Sequence, residues 1–175
     1  PVVPVYIHDE ALDGRSLGGA SAWWLDKSLR ALQADLATRG SPLVVRAGDA
    51  ARTLDQLIAD TGADAVFLNR MFEPAAWARD ADIAETAKGR GVEVRGFNAT
   101  RLAAPGSVRT KGGEPFKVFT PFSRALWEAA RSRPGRRAPE TLTAPTSPIA
   151  GINIDSLALH PKNPDWSTGF DDWTP

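Results

Sequence analysis

Short apolar runs alternate with longer stretches of helical spacing along the first two-thirds of the chain. Residues 2–7 are rich in Val, Ile and Tyr and end on His8, Asp9 and Glu10, which predicts a buried strand whose carboxyl end opens onto polar side chains. Pro4 weakens its start, since proline donates nothing to a ladder. After a loop at 14–19, Ser21 is a candidate cap for a helix in which Trp24, Leu25, Leu29, Leu32 and Leu36 make an apolar stripe, with Gly40 as its stop. Residues 43–46 predict a second strand, 51–60 a helix with Leu54, Leu57 and Ile58 inward, and 65–68 a third strand. Pro74 suits the first turn of another helix running to about residue 90, and 92–97 supplies a fourth strand before a loop containing Leu102.

Alternation of this kind joins parallel strands through right-handed crossovers. The expected fold is therefore α/β, a Rossmann-like open, doubly wound parallel sheet with any ligand beyond the carboxyl ends of its strands. His8, Asp9, Glu10, Asn69 and Glu73 fall on that edge. From residue 134 onward the chain carries seven of its 14 prolines, so the expected division is an α/β domain over 1–133 and an extended connecting segment over 134–175.

Composition narrows the function classes. The 175 residues, 42% of them hydrophobic, suffice for one domain with a core. Lys plus Arg equals Asp plus Glu at 21 each, which argues against a stand-alone nucleic-acid binder. Cysteine is absent, removing disulfides and thiolate chemistry. No apolar run approaches the roughly 18 residues of a membrane span and no signal-peptide pattern opens the chain, so a cytoplasmic location is expected. Neither a dinucleotide fingerprint nor a P-loop occurs. His8, Asp9 and Glu10 are possible metal ligands, but neighbouring strand side chains point to opposite faces, so no metal site is expected. No spacing links His8 or His160 to a nucleophile. Trp23 and Trp24 suit core packing better than electron transfer, and Arg131, Arg133, Arg136 and Arg137 suit a solvated loop better than a DNA contact.

Residues 109–124 are the most distinctive segment, with three Phe, two Pro and four cations. Gly112, Gly113 and Pro115 suit a turn, Pro121 can open a helix, and Phe116, Phe119 and Phe122 recur at every third residue. With Lys117 and Arg124 they predict a docking surface.

The phrase Lys117-Val-Phe-Thr-Pro-Phe122 resembles one near the end of the amino-terminal α/β domain of DNA photolyases and cryptochromes. Val5-Tyr-Ile-His-Asp9, Gly18-Gly-Ala-Ser-Ala-Trp-Trp-Leu25, Leu43-Val-Val-Arg-Ala-Gly-Asp49, Asn69-Arg-Met-Phe-Glu-Pro74 with Ala78-Arg-Asp80, and the tail from Pro164 are similar to that domain in the same order. The resemblance implies that the chain begins one βα unit late, without the family's first strand, and that it is a fragment. It further implies that the helical domain holding flavin adenine dinucleotide (FAD) and damaged DNA lies outside the chain, so no catalytic residue is expected here. That helical domain would be the docking partner.

In many family members the amino-terminal domain holds a light-harvesting antenna: a folate, a deazaflavin or a flavin mononucleotide. The resemblance places its site at Tyr6, His8 and Asp9, at Leu17 and Ala22, and at Met71 and Glu73. Ala22 stands where Arg is expected, Trp77 where Arg is usual, and Ala76 where folate-binding members can present Glu. A flavin or deazaflavin ring, or an empty site, is therefore expected over a folate. The implied function is the antenna portion of a photolyase. The alternatives are a cryptochrome-type light sensor and an unrelated nucleotide-binding α/β protein.

Overall fold

A computed structural model describes residues 1–10, 16–131 and 135–170. Four parallel strands alternate with helices: β1 (Val5–His8), α1 (Gly19–Thr38), β2 (Val44–Ala47), α2 (Ala50–Thr61), β3 (Ala65–Asn69), α3 (Pro74–Gly89) and β4 (Glu93–Phe97). A fourth helix, α4 (Phe119–Arg131), and a 3-10 turn, Ile154–Leu157, follow. The strands are paired two by two. β1 lies beside β2 with Val5 opposite Val44, and β3 lies beside β4 with Ala65 opposite Glu93. Among the described residues no ladder joins β1 to β3, so each pair keeps one unpaired inner edge. This is the α/β architecture that the alternation predicts, with the parallel strands of the described residues in two pairs rather than one continuous sheet.

Two cores correspond to the two pairs. Under α1, Leu29, Leu43, Val45, Ile154, Leu157 and Leu159 are buried together, with Tyr6, Ala22, Leu25 and Leu36 packed around them. Against β3 and β4, Ile58, Ala87 and Val92 are buried with Leu54, Val66 and Val94. The opposite face of that pair is bare: Phe67 and Phe97 stack on one another at 6.2 Å and both are exposed.

Helix boundaries follow local chemistry with two exceptions. Asp49 caps α2 by accepting the Arg52 N–H at 2.8 Å, and Gly62 ends it in the left-handed region at φ +64°. Pro74 sits at the start of α3 as expected. α1, however, begins at Gly19 behind an extended Gly18, with no side-chain cap, so Ser21 lies inside the first turn rather than capping it. Pro121 likewise falls within the first turn of α4, which begins two residues earlier.

The buried face of α1 is also rotated from the apolar stripe. Trp24 is 47% exposed and Leu32 is exposed, whereas Trp23, Asp26 and Leu29 are buried. The cause is the carboxyl-terminal segment, which covers the Trp23–Asp26 side. Trp166 and Phe170 pack on the Trp23 ring at 6.4 and 6.0 Å, and Asp155 meets Arg30.

That segment is extended over much of its length, with the 3-10 turn at Ile154–Leu157 and further turns at 163–164 and 166–169. It is fastened to the domain by backbone bonds: Val2 N–H to Thr143 O, Leu142 N–H to Arg39 O, and Ile152 N–H to Val45 O at 2.9 Å. The last of these covers the outer edge of β2. Three of its residues, Ile154, Leu157 and Leu159, complete the α1 core.

Candidate functional site

Polar side chains gather at the carboxyl end of β1, and three interactions organise them. His8 is buried; its Nδ1 lies 3.2 Å from the Tyr6 hydroxyl and its Nε2 3.3 Å from Glu10 Oε1. A carboxylate takes the imidazole proton on its side, so Nε2–H donates to Glu10 and Nδ1 accepts from Tyr6. Burial raises the Tyr6 pKa, which keeps the phenol protonated and able to donate. Asp9 Oδ2 accepts the Ala50 N–H at 3.0 Å, tying the end of β1 to the amino terminus of α2.

These residues border a cavity of about 320 Å³ lined by His8, Asp9, Glu10, Ala47, Gly48, Asp49, Ser156 and Leu157. It sits where strands β1 and β2 end, the edge at which α/β sheets hold ligands. Gly48 is at φ +117°, so the chain turns close over the cavity there. Of the expected antenna residues, His8 and Asp9 line it, and Tyr6 stands behind His8. Ala22 packs instead against the α1 core, and Leu17 is exposed before α1. Met71 and Glu73 lie at the end of β3, are both exposed, and do not line the cavity. Glu73 turns back on the chain and accepts the Phe72 N–H at 3.0 Å.

Five lining residues escape the sequence reading: Ala47, Gly48, Asp49, Ser156 and Leu157. Gly48 and Asp49 carry a visible turn and cap signal after the second strand. Ser156 and Leu157 lie about 150 residues from β1 in a proline-rich segment, and no local pattern marks them.

Near the end of β3 an aromatic group forms. The Phe72 and Trp77 rings lie 6.4 Å apart, and the Arg101 guanidinium stands 4.3 Å from the Phe72 centroid. Trp77 is exposed, while Ala76 beside it is 1% exposed and part of the core.

The Phe-rich segment divides into two faces. Phe116 and Phe122 meet edge to face at 6.1 Å, and Phe122 lines a second cavity of about 320 Å³ with Leu126 and residues 101–106 and 108. Phe119 points outward, 76% exposed; Val118 just before it and Trp127 two turns further along α4 are exposed too, as are Lys117 and Arg124. Val118 and Trp127 are absent from the expected set. An i, i+8 relation between Phe119 and Trp127 on a helix was the available signal.

Ser167, Asp165 and His160 come together in the tail, but the order is unproductive. Ser167 Oγ donates to Asp165 at 2.6 Å and His160 stands on the far side of the same carboxylate at 3.3 Å, so no base faces the hydroxyl. Among the described residues no group of three or more His, Asp or Glu converges as a metal site, and no helix is long and apolar enough to cross a membrane. Arg136 and Arg137 are exposed; Arg133 and the Arg131 side chain lie outside the described residues, as do residues 171–175.

Comparison with known proteins places this geometry. The model of the family described as DNA photolyase matches residues 1–145. The chain belongs to the DNA photolyase family. It is 40% identical to the deoxyribodipyrimidine photo-lyase of Agrobacterium fabrum, covering all of this chain and 36% of that protein. It is 29% identical to cryptochrome-1 of Arabidopsis thaliana over 92% of this chain and 23% of the relative. The crystal structure of a bacterial class III photolyase from Agrobacterium tumefaciens superposes with a TM-score of 0.84 at 39% identity, over all of this chain and 36% of that one. The chain thus spans about a third of the photolyases it matches. Family membership sets aside the reading as an unrelated nucleotide-binding protein, and FAD with an antenna chromophore belongs to the photolyase family in general.

Proposed function

We propose that the chain is the amino-terminal antenna portion of a light-driven, FAD-dependent deoxyribodipyrimidine photolyase, whose flavin and damaged DNA are handled by a helical domain outside these 175 residues. The observation that carries this is the 40% identity to a photo-lyase along the whole chain, joined to a TM-score of 0.84 with a photolyase structure. A cryptochrome-type light sensor is the second reading, favoured by the similarity to cryptochrome-1. Repair separates them. The full-length protein, given blue light and a thymine-dimer oligonucleotide, restores the monomers if it is a photolyase; unchanged dimers under reducing light favour the sensor.

Within that reading, the cavity at the ends of β1 and β2 holds a flat heteroaromatic antenna ring. Its residues fit such a ring, because Leu157 and Ala47 offer apolar surface and Glu10 and Asp49 accept hydrogen bonds from ring N–H groups. When bound, the antenna would absorb light and pass its excitation to the flavin. The chain's own groups bind and orient it. Tyr6 fixes the His8 ring, His8 in turn holds Glu10, and Asp9 ties the floor of the site to α2.

The ring class is the finer question. Preference for a flavin type over a folate rested partly on Ala76, but a core position presents nothing to a ligand, so that comparison carries no weight here. Mass spectrometry of the released chromophore decides among folate, flavin and deazaflavin. His8→Ala should lower antenna occupancy several-fold. Glu73→Ala tests the far side of the edge: unchanged occupancy there confines the site to the β1–β2 half.

The division at 133/134 lies outside the described residues. We propose that the tail beyond it serves as the interdomain connection while packed on this domain, and that Phe116, Lys117, Phe119, Phe122 and Arg124 belong to the region facing the flavin domain.

A further inference from the structure

The turn Ile154–Leu157 serves two structures at once. Ile154 and Leu157 are buried in the α1 core, while Ser156 and Leu157 also line the cavity at the ends of β1 and β2. We infer that this turn is a working wall of the antenna pocket, in which Ser156 Oγ accepts a hydrogen bond from the ring, Leu157 packs on its edge, and the Arg30–Asp155 pair positions both. The inference rests on the antenna reading above and adds to it residues from a segment otherwise regarded as a linker.

The chemistry of Ser156 follows from where its proton goes. Its hydroxyl donates to Asn153 O at 2.5 Å, which leaves only lone pairs for anything in the cavity. The other polar side chains there are similarly committed. The His8 Nε2–H is directed to Glu10, so Glu10, Asp49 and Ser156 present acceptors. The complementary ligand edge carries N–H donors, such as a lactam or an exocyclic amino group on a fused ring. A phosphate or carboxylate on the ligand's side chain is repelled by this wall and points away from it.

The turn is held firmly enough to act this way. Asn153 Oδ1 accepts the Asp155 N–H at 2.9 Å, Arg30 Nη2 bonds Asp155 Oδ1, and the Ile152 N–H is fixed to β2 through Val45 O. Ala158, at φ +51°, closes the turn by donating its N–H to Asp155 O. Ser156 is therefore carried on an element anchored to both α1 and β2 rather than on a loose loop. Arg30 and Asp155 act through it as positioning residues.

The test uses the full-length protein with its native antenna, read as the ratio of antenna to flavin absorbance and as the position of the antenna band. Ser156→Ala should weaken antenna binding on the order of 3- to 10-fold, the equivalent of one neutral hydrogen bond, and shift the band. Ser156→Thr should restore both. Asp155→Asn should lower occupancy without abolishing folding. A purely structural turn would change the melting temperature but leave the band position where it was. Wild-type ratio and band in both Ser156→Ala and Asp155→Asn would overturn the inference. If His8→Ala still lowers occupancy in that case, the antenna reading stands without it. An antenna insensitive to all three substitutions, or a wild-type protein without a second absorber, would remove the reading and the inference together.

Discussion

Asp26 is a carboxylate, 2% exposed, at the centre of the buried face of α1. It survives there because Arg30, one turn on, donates to it from Nε and Nη2 at 2.9–3.1 Å, and Arg30 also reaches Asp155 across the tail. Removing the partner should hurt more than removing the pair, since a buried charge without its donor keeps its full desolvation cost. Arg30→Ala is expected to destabilise the domain by about 2 kcal/mol, read from the denaturation midpoint, and Arg30→Lys to recover only part of it, because Lys lacks the fork. Equal stability of wild type and Arg30→Ala would show that solvent already carries the charge. The i, i+4 spacing of the pair is visible in the sequence. Its burial is not, because the residue that makes it matter is Asp155, 125 positions beyond Arg30.

At the scale of elements, strands and helices were legible and the tail was not. Asp49 and Gly62 bracket α2 with local signals, and Pro74 opens α3, so those elements required no tertiary information. The tail has prolines and no periodicity, and what fastens it is distant backbone. At Gly151 an added Cβ would stand 3.3 Å from Val45 O, tight enough that the chain and β2 must give by a few tenths of an ångström. Gly151→Ala should therefore cost about 1 kcal/mol through the Ile152–Val45 bond, measurable as a lower melting temperature and faster exchange of the Ile152 amide. Acid should release the same segment. The Asp155 pKa is lowered, chiefly by the hydrogen bond from Arg30, and that of Asp165 is lowered, chiefly by the Ser167 hydroxyl. Both carboxyls sit below their unfolded values, so their contribution is present above about pH 4 and is lost as the pH falls through their folded pKa values. Tryptophan fluorescence from the Trp23–Trp166 contact should change in that acid window while helical circular dichroism of α2 and α3 persists. In Asp155→Asn that acid step should be smaller.

For the whole molecule, the main question is what covers its bare surfaces. Among the described residues nothing pairs with the inner edges of β1 and β3, Phe67 and Phe97 stand exposed on β3–β4, and Phe119, Val118 and Trp127 stand exposed at α4. A single domain gains nothing from three large apolar side chains left exposed along and just before one helix, whereas a domain that docks on another buries them. The sequence marked this region by its Phe spacing but could not say which ring turns inward, because that depends on the 101–108 loop folding over Phe122 and Leu126. The structure makes the two rings separable by experiment. Phe122→Asp puts a charge into a cavity wall and should unfold the region around α4 in any context, lowering domain stability by about 3 kcal/mol. Phe119→Asp replaces a ring already in water and should leave the stability of the 175-residue chain within about 0.5 kcal/mol. In the full-length protein the same Phe119→Asp substitution should loosen the interdomain contact, seen as faster proteolysis of the tail and separate melting transitions for the two parts. If full-length Phe119→Asp melts as one unit with wild-type protease resistance, α4 is not a docking face, and its exposed aromatics require another partner.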